Sequence, residues 1–250
     1  MALSVLGVIP ARLESTRLPR KVLREIAGRP MICHVYERAR RARQLTDLLV
    51  ATDAQEVVEA CARFDIPAIL TSSAHVSGTD RVWEVAQGRD ADVYVNIQGD
   101  EPLVTAGHIA RLVEPFLAHP ETQVTTLRIR ATAAEIDNPN AVKVVCDAQD
   151  RALYFSRYPI PYHRDAGGVP GGVPLFKHLG LYGYRAAALD AFHRLPPSFL
   201  ETTERLEQLR FLEHGMPIVV METHDATIGV DTEQDLQAVE ARLAHPPRSS

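Results

Sequence analysis

The sequence predicts an α/β fold: a mostly parallel sheet with helices on both faces, and a smaller, more antiparallel part after it. Through the first 120 residues, apolar runs rich in β-branched residues alternate with amphipathic segments, as strands alternate with helices in a parallel sheet. Beyond residue 120 the strand-like runs follow at short spacing, which favours antiparallel pairing. The 250 residues are 46% apolar and 24% charged, which is ordinary for a globular protein with a substantial core. We expect a single domain with parts over residues 1–120, 121–215 and 216–245, the last returning to the main sheet.

Four strands and four helices are predicted in the first part. The apolar runs predict strands over residues 3–9, 48–52, 66–70 and 92–97. Helices are expected after Pro30, after Asp53, after Thr79 and Asp80, and over residues 105–117. Proline suits the first turn of a helix, and Asp53, Thr79 and Asp80 are residue types that cap helices.

In the second part the strand-like runs follow one another at shorter spacing. Strands are expected over residues 124–130, 142–147, 152–156, 178–185 and 218–221, with amphipathic helices over 203–214 and 232–243. Segment 164–174 contains Gly-Gly-Val-Pro twice in succession and predicts a mobile surface loop. Its role stays open.

Composition excludes several classes of protein. The net charge of −5 argues against a nucleic-acid or membrane-surface protein. The three cysteines, Cys33, Cys61 and Cys146, lie far apart in apolar segments and predict buried free thiols. No apolar run approaches a membrane span, and the first residues do not resemble a secretion signal, so we expect a cytoplasmic protein.

A basic loop follows the first predicted strand. It carries Arg12, Arg17, Arg20 and Lys21, four cations within ten residues. Ligands of open parallel sheets bind beyond the carboxyl ends of the strands, and this loop leaves such an end. The pattern indicates a site for a polyanion, with phosphate the first candidate. The alternative is a solvated basic loop.

Two carboxylates follow apolar runs. Asp100 lies in the turn after the strand at 92–97, and Asp231 directly precedes the last predicted helix. Carboxylates beside a phosphate site suit Mg²⁺, which prefers oxygen ligands. Gly99 would let the backbone approach a ligand closely. The alternatives are an ordinary turn for Asp100 and a helix N-cap for Asp231.

Other polar residues have weaker signals. Residues 77–81 form a loop-to-helix junction whose backbone N–H groups suit an anion or a base carbonyl, but the motif alone favours a plain helix cap. Seven polar side chains lie in apolar elements of the second part, where core positions or a solvated helix face are the alternatives: Arg157, His178, Tyr182, Tyr184, Glu207, Gln208 and Arg210. The sequence has no dinucleotide-binding fingerprint, no Walker A motif and no zinc-type cluster.

A series of motifs, in order, resembles one family over about residues 5 to 243. The family is CMP-Kdo synthetase, the 3-deoxy-manno-octulosonate cytidylyltransferase of Gram-negative bacteria. The motifs are Ile9-Pro-Ala-Arg12, Ser15-Thr-Arg-Leu-Pro19 with Lys21, Ser77-Gly-Thr-Asp-Arg81, Gln98-Gly-Asp-Glu-Pro102, Asn138-Pro-Asn-Ala-Val-Lys-Val-Val145, Leu153-Tyr-Phe-Ser-Arg157, His178-Leu-Gly-Leu-Tyr-Gly-Tyr-Arg185, Leu206-Glu-Gln-Leu-Arg210 and Gly229-Val-Asp-Thr232.

The resemblance implies a Rossmann-like fold of the nucleotide-diphospho-sugar transferase type and a Mg²⁺-dependent enzyme. Such an enzyme transfers CMP from CTP to the anomeric hydroxyl of Kdo (3-deoxy-D-manno-octulosonate) and releases pyrophosphate, for lipopolysaccharide biosynthesis. The resemblance further implies a cytoplasmic homodimer without nucleic-acid partners or membrane insertion. Residues 1–120 would bind the nucleotide, and residues 121–215 the sugar and the second subunit.

The same resemblance implies residue roles. Arg12, Lys21 and Asp100 would be catalytic, and Asp100 and Asp231 would hold Mg²⁺. The nucleotide would be bound by Pro10, Ala11, Arg12, Lys21, Ser77, Gly78, Arg81, Gln98 and Gly99. The sugar would be bound by Arg157, His178, Tyr182, Tyr184, Glu207 and Gln208, with Arg157 on its carboxylate.

One position departs from the family pattern, because Arg20 stands where the family usually has glycine. A left-handed backbone there would be strained. Three alternatives to the expected reaction remain. The acceptor is 8-amino-Kdo or another nonulosonic acid, or the chain is a glycosyltransferase. That class usually presents an Asp-x-Asp metal motif after a strand, and Gln98-Gly-Asp-Glu101 is not one. A non-catalytic nucleotide-binding regulator is the third, but it would be expected to lose Lys21, Asp100 or Asp231.

Overall fold

The computed structural model describes residues 3–15, 18–165, 167–168 and 174–244. The chain divides into two compact units, residues 1–110 with 226–250, and residues 111–225. These divisions lie near the boundaries at 120 and 215 suggested by the sequence, while the single domain stays a prediction. Most of the glycine- and proline-rich segment 164–174 lies outside the described residues.

The first unit alternates strands and helices. It begins with β1 (Val5–Ala11), a single 3-10 turn (Lys21–Leu23), and an antiparallel hairpin of β2 (Glu25–Ile26) and β3 (Arg29–Pro30). The chain continues through α1 (Met31–Ala39), β4 (Asp47–Thr52), α2 (Gln55–Ala62), β5 (Ala68–Leu70), α3 (Gly78–Gly88), β6 (Val93–Asn96) and α4 (Ala106–Ala118), whose last turns lie in the second unit.

Four of these strands form a parallel sheet in the order β6, β1, β4, β5. All seven residues of β1 are buried, as its apolar sequence requires for a central strand, and α1, α2 and α3 pack against the sheet. The parallel α/β prediction is confirmed for this part of the chain. Because β1 and β6 are parallel neighbours, the segments that follow them, from Arg12 and from Ile97, leave the same edge of the sheet.

The second unit is mainly antiparallel. In chain order it contains β7 (Val124–Arg130), α5 (Ala133–Ile136), β8 (Lys143–Cys146), β9 (Ala152–Ser156), β10 (Phe176–Tyr184), α6 (Ala186–Arg194), α7 (Phe199–Glu204), α8 (Gln208–Glu213) and β11 (Ile218–Glu222). Strand β10 pairs antiparallel with β7 and β8, and β8 with β9, whereas β11 runs parallel to β7. The last helix, α9 (Glu233–Ala244), lies in the first unit. The predicted antiparallel part is confirmed.

Two predicted helix caps are wrong. The N-cap of α2 is Ala54, and the Asp53 carboxylate accepts hydrogen bonds from Arg81 and from the backbone N–H of Leu13 instead. The N-cap of α3 is Ser77, whose Oγ accepts the backbone N–H of Asp80 at 3.0 Å. Thr79 and Asp80 therefore lie inside the helix they were expected to begin. A neighbouring polar side chain, Ser77, took the role at α3, whereas the N-cap of α2, Ala54, makes no side-chain capping hydrogen bond.

The predicted helix over 203–214 is also wrong, because it is broken into α7 and α8. Arg205 stands between them in the left-handed region, with φ 54° and ψ 52°. The apolar spacing continues through the break, so the sequence pattern did not reveal it. The hairpin of β2 and β3 and helices α5 and α6 were not predicted.

The thiols and the membrane prediction have simple outcomes. Cys33 and Cys61 are buried and free, and burial raises their pKa values to about 11 and about 12. Cys146 is free but only partly buried, so the expectation of full burial fails there. Among the described residues, no helix combines the length and apolar character needed to cross a bilayer.

Candidate active site

A cleft of about 370 Å³ lies in the first unit, at the edge that β1 and β6 leave. The segments after these two strands and the 3-10 turn supply most of its wall. Its described lining residues are Pro10, Arg12, Glu14, Ser15, Lys21, Val22, Gly78, Gln98, Gly99 and Asp100. Two cations and two carboxylates therefore share a cleft of a size suited to a small polar ligand.

Lys21 lies between the two carboxylates that the sequence singled out. Its Nζ donates to Asp100 Oδ2 at 2.6 Å and to Asp231 Oδ1 at 3.0 Å. The lysine side chain is 13% exposed, and the aspartates are 32% and 39% exposed. Burial favours the neutral amine, but the charge of Asp100 and the hydrogen bonds to both carboxylates outweigh it and raise the pKa of Lys21. Residues from three distant parts of the chain thus meet at one ammonium group.

Asp231 is available for this contact because it does not cap α9. Thr232 and Asp235 form that cap: Thr232 Oγ1 accepts the backbone N–H of Asp235, and Asp235 Oδ2 accepts the backbone N–H of Thr232. The same Asp235 oxygen also accepts the backbone N–H of Asp231 at 3.0 Å. The N-cap alternative for Asp231 is therefore excluded, and its side chain is held toward Lys21.

Two close approaches hold the carboxylate turns in place. A Cβ on Gly99 would lie 2.8 Å from the carbonyl oxygen of Pro10, so the turn that carries Asp100 requires glycine. The carbonyl oxygen of Asp100 accepts the backbone N–H of Val230 at 2.9 Å, which joins this turn directly to the turn that carries Asp231.

Three nucleotide-binding candidates lie outside the described lining of the cleft, and one of them, Arg81, supports the loop after β1. Ala11, Ser77 and Arg81 are buried and are not among the described residues that line the cleft. Arg81 donates to Asp53, which in turn accepts the backbone N–H of Leu13, the residue after Arg12. Sequence reasoning missed this role of Asp53.

The two remaining cations of the basic loop have different outcomes. Arg20 adopts a left-handed conformation, φ 57° and ψ 33°, which is the conformation that the glycine of the family pattern would adopt without strain. Its guanidinium pairs with Glu56 rather than lining the cleft. Arg17 lies outside the described residues.

The sugar-binding candidates all lie in the second unit. His178, Tyr182 and Tyr184 stand in a row of aromatic contacts that begins at Phe155 and continues through Phe211 to Phe192. The His178 ring lies 3.0 Å from the Thr126 hydroxyl, and burial lowers the pKa of His178 to about 3. This histidine is therefore a neutral hydrogen-bonding group.

The phenol of Tyr182 lies in the same row. Burial, and then the charges of Tyr184 and Glu207, raise its pKa well above the ordinary value. The structure therefore brings Glu207 near the aromatic row. Gln208, the first residue of α8, is 5% exposed.

Arg157 bonds to backbone oxygens. Its Nε donates to the Glu204 carbonyl at 2.7 Å, Nη1 to the Pro139 carbonyl at 2.9 Å, and Nη2 to the Arg205 carbonyl at 3.3 Å. Arg210 is buried in an ion pair with Glu201 and over the Phe192 ring, which agrees with the core alternative for this residue. No sequence signal indicated Glu204 beyond its place in an amphipathic segment.

The donor set at Lys21 fits a magnesium ion delivered with a phosphate chain. Two carboxylates converge on one cation, and no group of three or more His, Cys, Asp or Glu in the described ranges is arranged to hold a metal. Mg²⁺ typically takes one or two carboxylates and completes its coordination with water and substrate phosphates, unlike a zinc site built entirely from protein.

Comparison with known proteins agrees with this geometry. A family model described as Cytidylyltransferase matches residues 6–218. A 3-deoxy-manno-octulosonate cytidylyltransferase from Acidobacterium capsulatum is 60% identical over 242 residues, which cover 97% of each chain. One from Koribacter versatilis is 56% identical over 239 residues, 95% of this chain and 89% of that relative. A solved structure of CMP:2-keto-3-deoxy-manno-octonic acid synthetase complexed with CTP superposes with a TM-score of 0.92 at 42% identity, covering 98% of this chain and all of the other.

Proposed function

Because this chain belongs to the family of 3-deoxy-manno-octulosonate cytidylyltransferases, as its motifs predicted, we propose that it transfers CMP from CTP to the anomeric hydroxyl of Kdo. The hydroxyl oxygen bonds to the α-phosphorus of CTP, the bond from that phosphorus to the β-phosphate oxygen breaks, and pyrophosphate leaves. The hydroxyl proton passes to solvent. The observation that carries the proposal is the cleft lined by Arg12, Lys21 and Asp100, in which the Lys21 ammonium pairs with Asp100 and with Asp231.

The cleft binds the nucleotide. Arg12 and Lys21 donate hydrogen bonds to the phosphate chain and neutralise the charge that develops on the departing pyrophosphate. Pro10, Gly78 and Gln98 lie together, since a Cβ on Gly78 would be 3.4 Å from the proline ring and 3.8 Å from the glutamine amide oxygen. This apolar and amide surface suits a base and ribose.

Asp100 and Asp231 would hold Mg²⁺ in the proposed enzyme. When bound, the ion draws electron density from the α-phosphate and neutralises the triphosphate. Lys21 holds the two carboxylates at a common point, and a phosphate oxygen that reaches this point finds the ammonium already positioned. Positioning and charge neutralisation are sufficient here, because the nucleophile is a sugar hydroxyl and the protein forms no covalent bond with the nucleotide.

The second unit binds the sugar acid. Glu207 and Gln208 are suited to hydrogen-bond its hydroxyls, with His178, Tyr182 and Tyr184 as the neighbouring aromatic row. Support comes from Gln208 Nε2, which is buried and has no hydrogen-bond acceptor among the described residues. Arg157 is assigned to the sugar carboxylate, and we propose that its two guanidinium N–H groups beyond the three bonded ones serve that contact.

The setting follows from the reaction. We propose a cytoplasmic homodimer that supplies activated Kdo for lipopolysaccharide biosynthesis, since CTP is a cytoplasmic substrate. Five large apolar side chains among the described residues of the second unit are exposed and support subunit association: Leu117, Leu153, Tyr158, Tyr162 and Phe199. Light scattering of the eluting protein would give twice the mass of 27.7 kDa for a dimer.

The test of the proposal is pyrophosphate release from CTP and Mg²⁺ with Kdo, 8-amino-Kdo and sialic acid in parallel. Release with Kdo at the highest kcat/KM is the expected result. Release only with 8-amino-Kdo would keep the mechanism and change the acceptor. Tight CTP binding without release for any acceptor would contradict the enzyme and favour a regulator.

A further inference from the structure

Glu204 makes an unusual set of contacts in the second unit. It is the last residue of α7, and its carboxylate accepts hydrogen bonds from three groups at the end of β9. Oε1 accepts the Ser156 hydroxyl at 2.7 Å and the Tyr154 hydroxyl at 3.4 Å, and Oε2 accepts the backbone N–H of Arg157 at 2.9 Å. A single carboxylate thus joins the end of α7 to the end of β9.

Arg157 completes this connection in the opposite direction. Its guanidinium donates to the carbonyl oxygens of Glu204 and Arg205, the last residue and the C-cap of α7. Carbonyl groups at the end of a helix have no partner in a following turn. Each residue of the pair therefore bonds to the main chain of the other. We call the contacts between Arg157 and residues 204–205 the β9–α7 clamp.

Lys143 also stabilises the β9–α7 clamp. This lysine is fully buried, and its Nζ donates to the carbonyl oxygens of Arg157, Asn138 and Ala141 at 2.7 to 3.0 Å. Burial lowers the pKa of Lys143. The loop at 138–141, the end of β9 and the end of α7 are thereby fixed to one another.

The β9–α7 clamp stabilises the break between α7 and α8. Arg205 has a left-handed backbone, which non-glycine residues adopt only when their surroundings hold them there. Its carbonyl and that of Glu204 are the ones that Arg157 binds. After this turn the chain begins α8, with Glu207 exposed at the N-cap and Gln208 buried as the first helical residue. A continuous helix would rotate both side chains to other directions.

We infer that Glu204 is a positioning residue of the sugar-acid site: through the β9–α7 clamp it holds the left-handed turn at Arg205 and so directs Glu207 and Gln208 toward the sugar hydroxyls. The inference rests on the proposed function, which assigns those two side chains to the sugar. A second observation points to a ligand there, since the amide nitrogen of Gln208 is buried without an acceptor among the described residues. Glu204 touches no substrate and acts only through the turn.

The test is steady-state kinetics on Glu204→Gln with each substrate varied in turn. The amide keeps the size of the side chain but removes the negative charge and replaces one of the two acceptor oxygens with a donor. We expect KM for Kdo to rise about tenfold, the factor for loss of one charge-assisted hydrogen bond, while KM for CTP and the CTP affinity measured by calorimetry stay within twofold. Thr203→Ala, on the exposed neighbour in α7, is the matched control and should change neither constant.

A second variant separates positioning from general loss of structure. Glycine adopts the left-handed conformation without strain. Arg205→Gly added to Glu204→Gln should therefore recover part of the lost Kdo affinity. The melting temperatures of both variants are measured alongside, since a merely structural role would lower them without a Kdo-specific change.

The outcomes are distinct. An unchanged KM for Kdo in Glu204→Gln, a parallel rise in KM for both substrates, or no recovery by Arg205→Gly would overturn the role of Glu204. If the wild-type protein releases no pyrophosphate with Kdo, the proposed function itself fails, and the inference falls with it.

Discussion

Replacing Asp100 with asparagine tests the arrangement around Lys21 most sharply. The Lys21 Nζ lies 2.6 Å from Asp100 Oδ2 and 3.0 Å from Asp231 Oδ1, with 13% of the lysine side chain exposed. Asparagine keeps the size of the side chain but removes one negative charge and one charge-assisted hydrogen bond. Before CTP binds, this hydrogen bond and the one to Asp231 occupy two of the three ammonium N–H groups.

Whether Asp100→Asn strengthens CTP binding depends on whether Mg²⁺ is present. A charge-assisted hydrogen bond contributes roughly 1.5–3 kcal/mol when buried. Because about a third of Asp100 is exposed, we reduce this to about 1 kcal/mol. Without Mg²⁺, the variant frees Lys21 for a phosphate and repels CTP less, so CTP should bind about fivefold more tightly. With Mg²⁺, the lost ligand should prevent that gain and lower kcat by roughly 100-fold or more.

Calorimetric titration with CTP, in EDTA and in Mg²⁺, measures the first effect, and pyrophosphate release measures the second. Asp90→Asn, at an exposed carboxylate of the same unit, controls for the loss of one charge. If Asp100→Asn binds CTP equally or more weakly than wild type without metal, the claim that Asp100 competes with phosphate for the Lys21 ammonium is refuted. Full Mg²⁺-dependent turnover would refute Asp100 as a metal ligand.

Three further substitutions test other parts of the structure. Gly99→Ala would place a methyl group 2.8 Å from the Pro10 carbonyl oxygen, so steady-state kinetics should show KM for CTP raised about tenfold, with about 1–3 kcal/mol lost from the free energy of unfolding. Lys143→Met leaves the carbonyl oxygens of Asn138, Ala141 and Arg157 without the lysine donor, and urea titration should show a loss of about 3 kcal/mol. His178, with a folded pKa of about 3 against an ordinary 6.5, stabilises fully above pH 6.5 and loses this contribution as the pH falls toward 3. From pH 7 to pH 5, wild type should therefore lose about 2 kcal/mol more than His178→Gln in urea titrations.

Each of these has a matched control. Gly88→Ala adds a methyl group where no described atom lies within 4 Å, and its KM for CTP should not change. Lys177→Met removes a partly exposed lysine paired with Glu135 and should cost less than Lys143→Met. His119→Gln, at an exposed histidine, should keep the pH dependence of wild type. If a variant behaves like its control, the contribution assigned to the corresponding contact is contradicted.

Much of the fold was predictable because local patterns and tertiary structure agree. The strand β1 reads as an apolar, β-branched run and is fully buried, and β7 and β9 have the predicted bounds. The broken helix was not predictable. The apolar spacing from residue 203 to 214 suits one helix, and the break at Arg205 is stabilised by Arg157, which is 48 residues away in sequence.

The site was predictable in part for the same reason. Motif order and strand ends located Lys21 and Asp100 beside one another, and the structure confirms their contact. Asp53 was mistaken for a helix cap because the residue before a helix is commonly a cap, whereas its partner Arg81 is 28 positions away. Long-range hydrogen bonds of this kind leave no periodic signal in a single sequence.

The measurement that tests the central claim most directly is ³¹P NMR of the complete reaction with CTP, Kdo and Mg²⁺. The proposed transfer predicts loss of the three CTP resonances and the appearance of one phosphodiester and one pyrophosphate in equal amounts. The same spectrum without Kdo should show intact CTP. Formation of CDP and inorganic phosphate, or of CMP as a free monoester, would place the bond cleavage or the acceptor elsewhere and contradict the assignment.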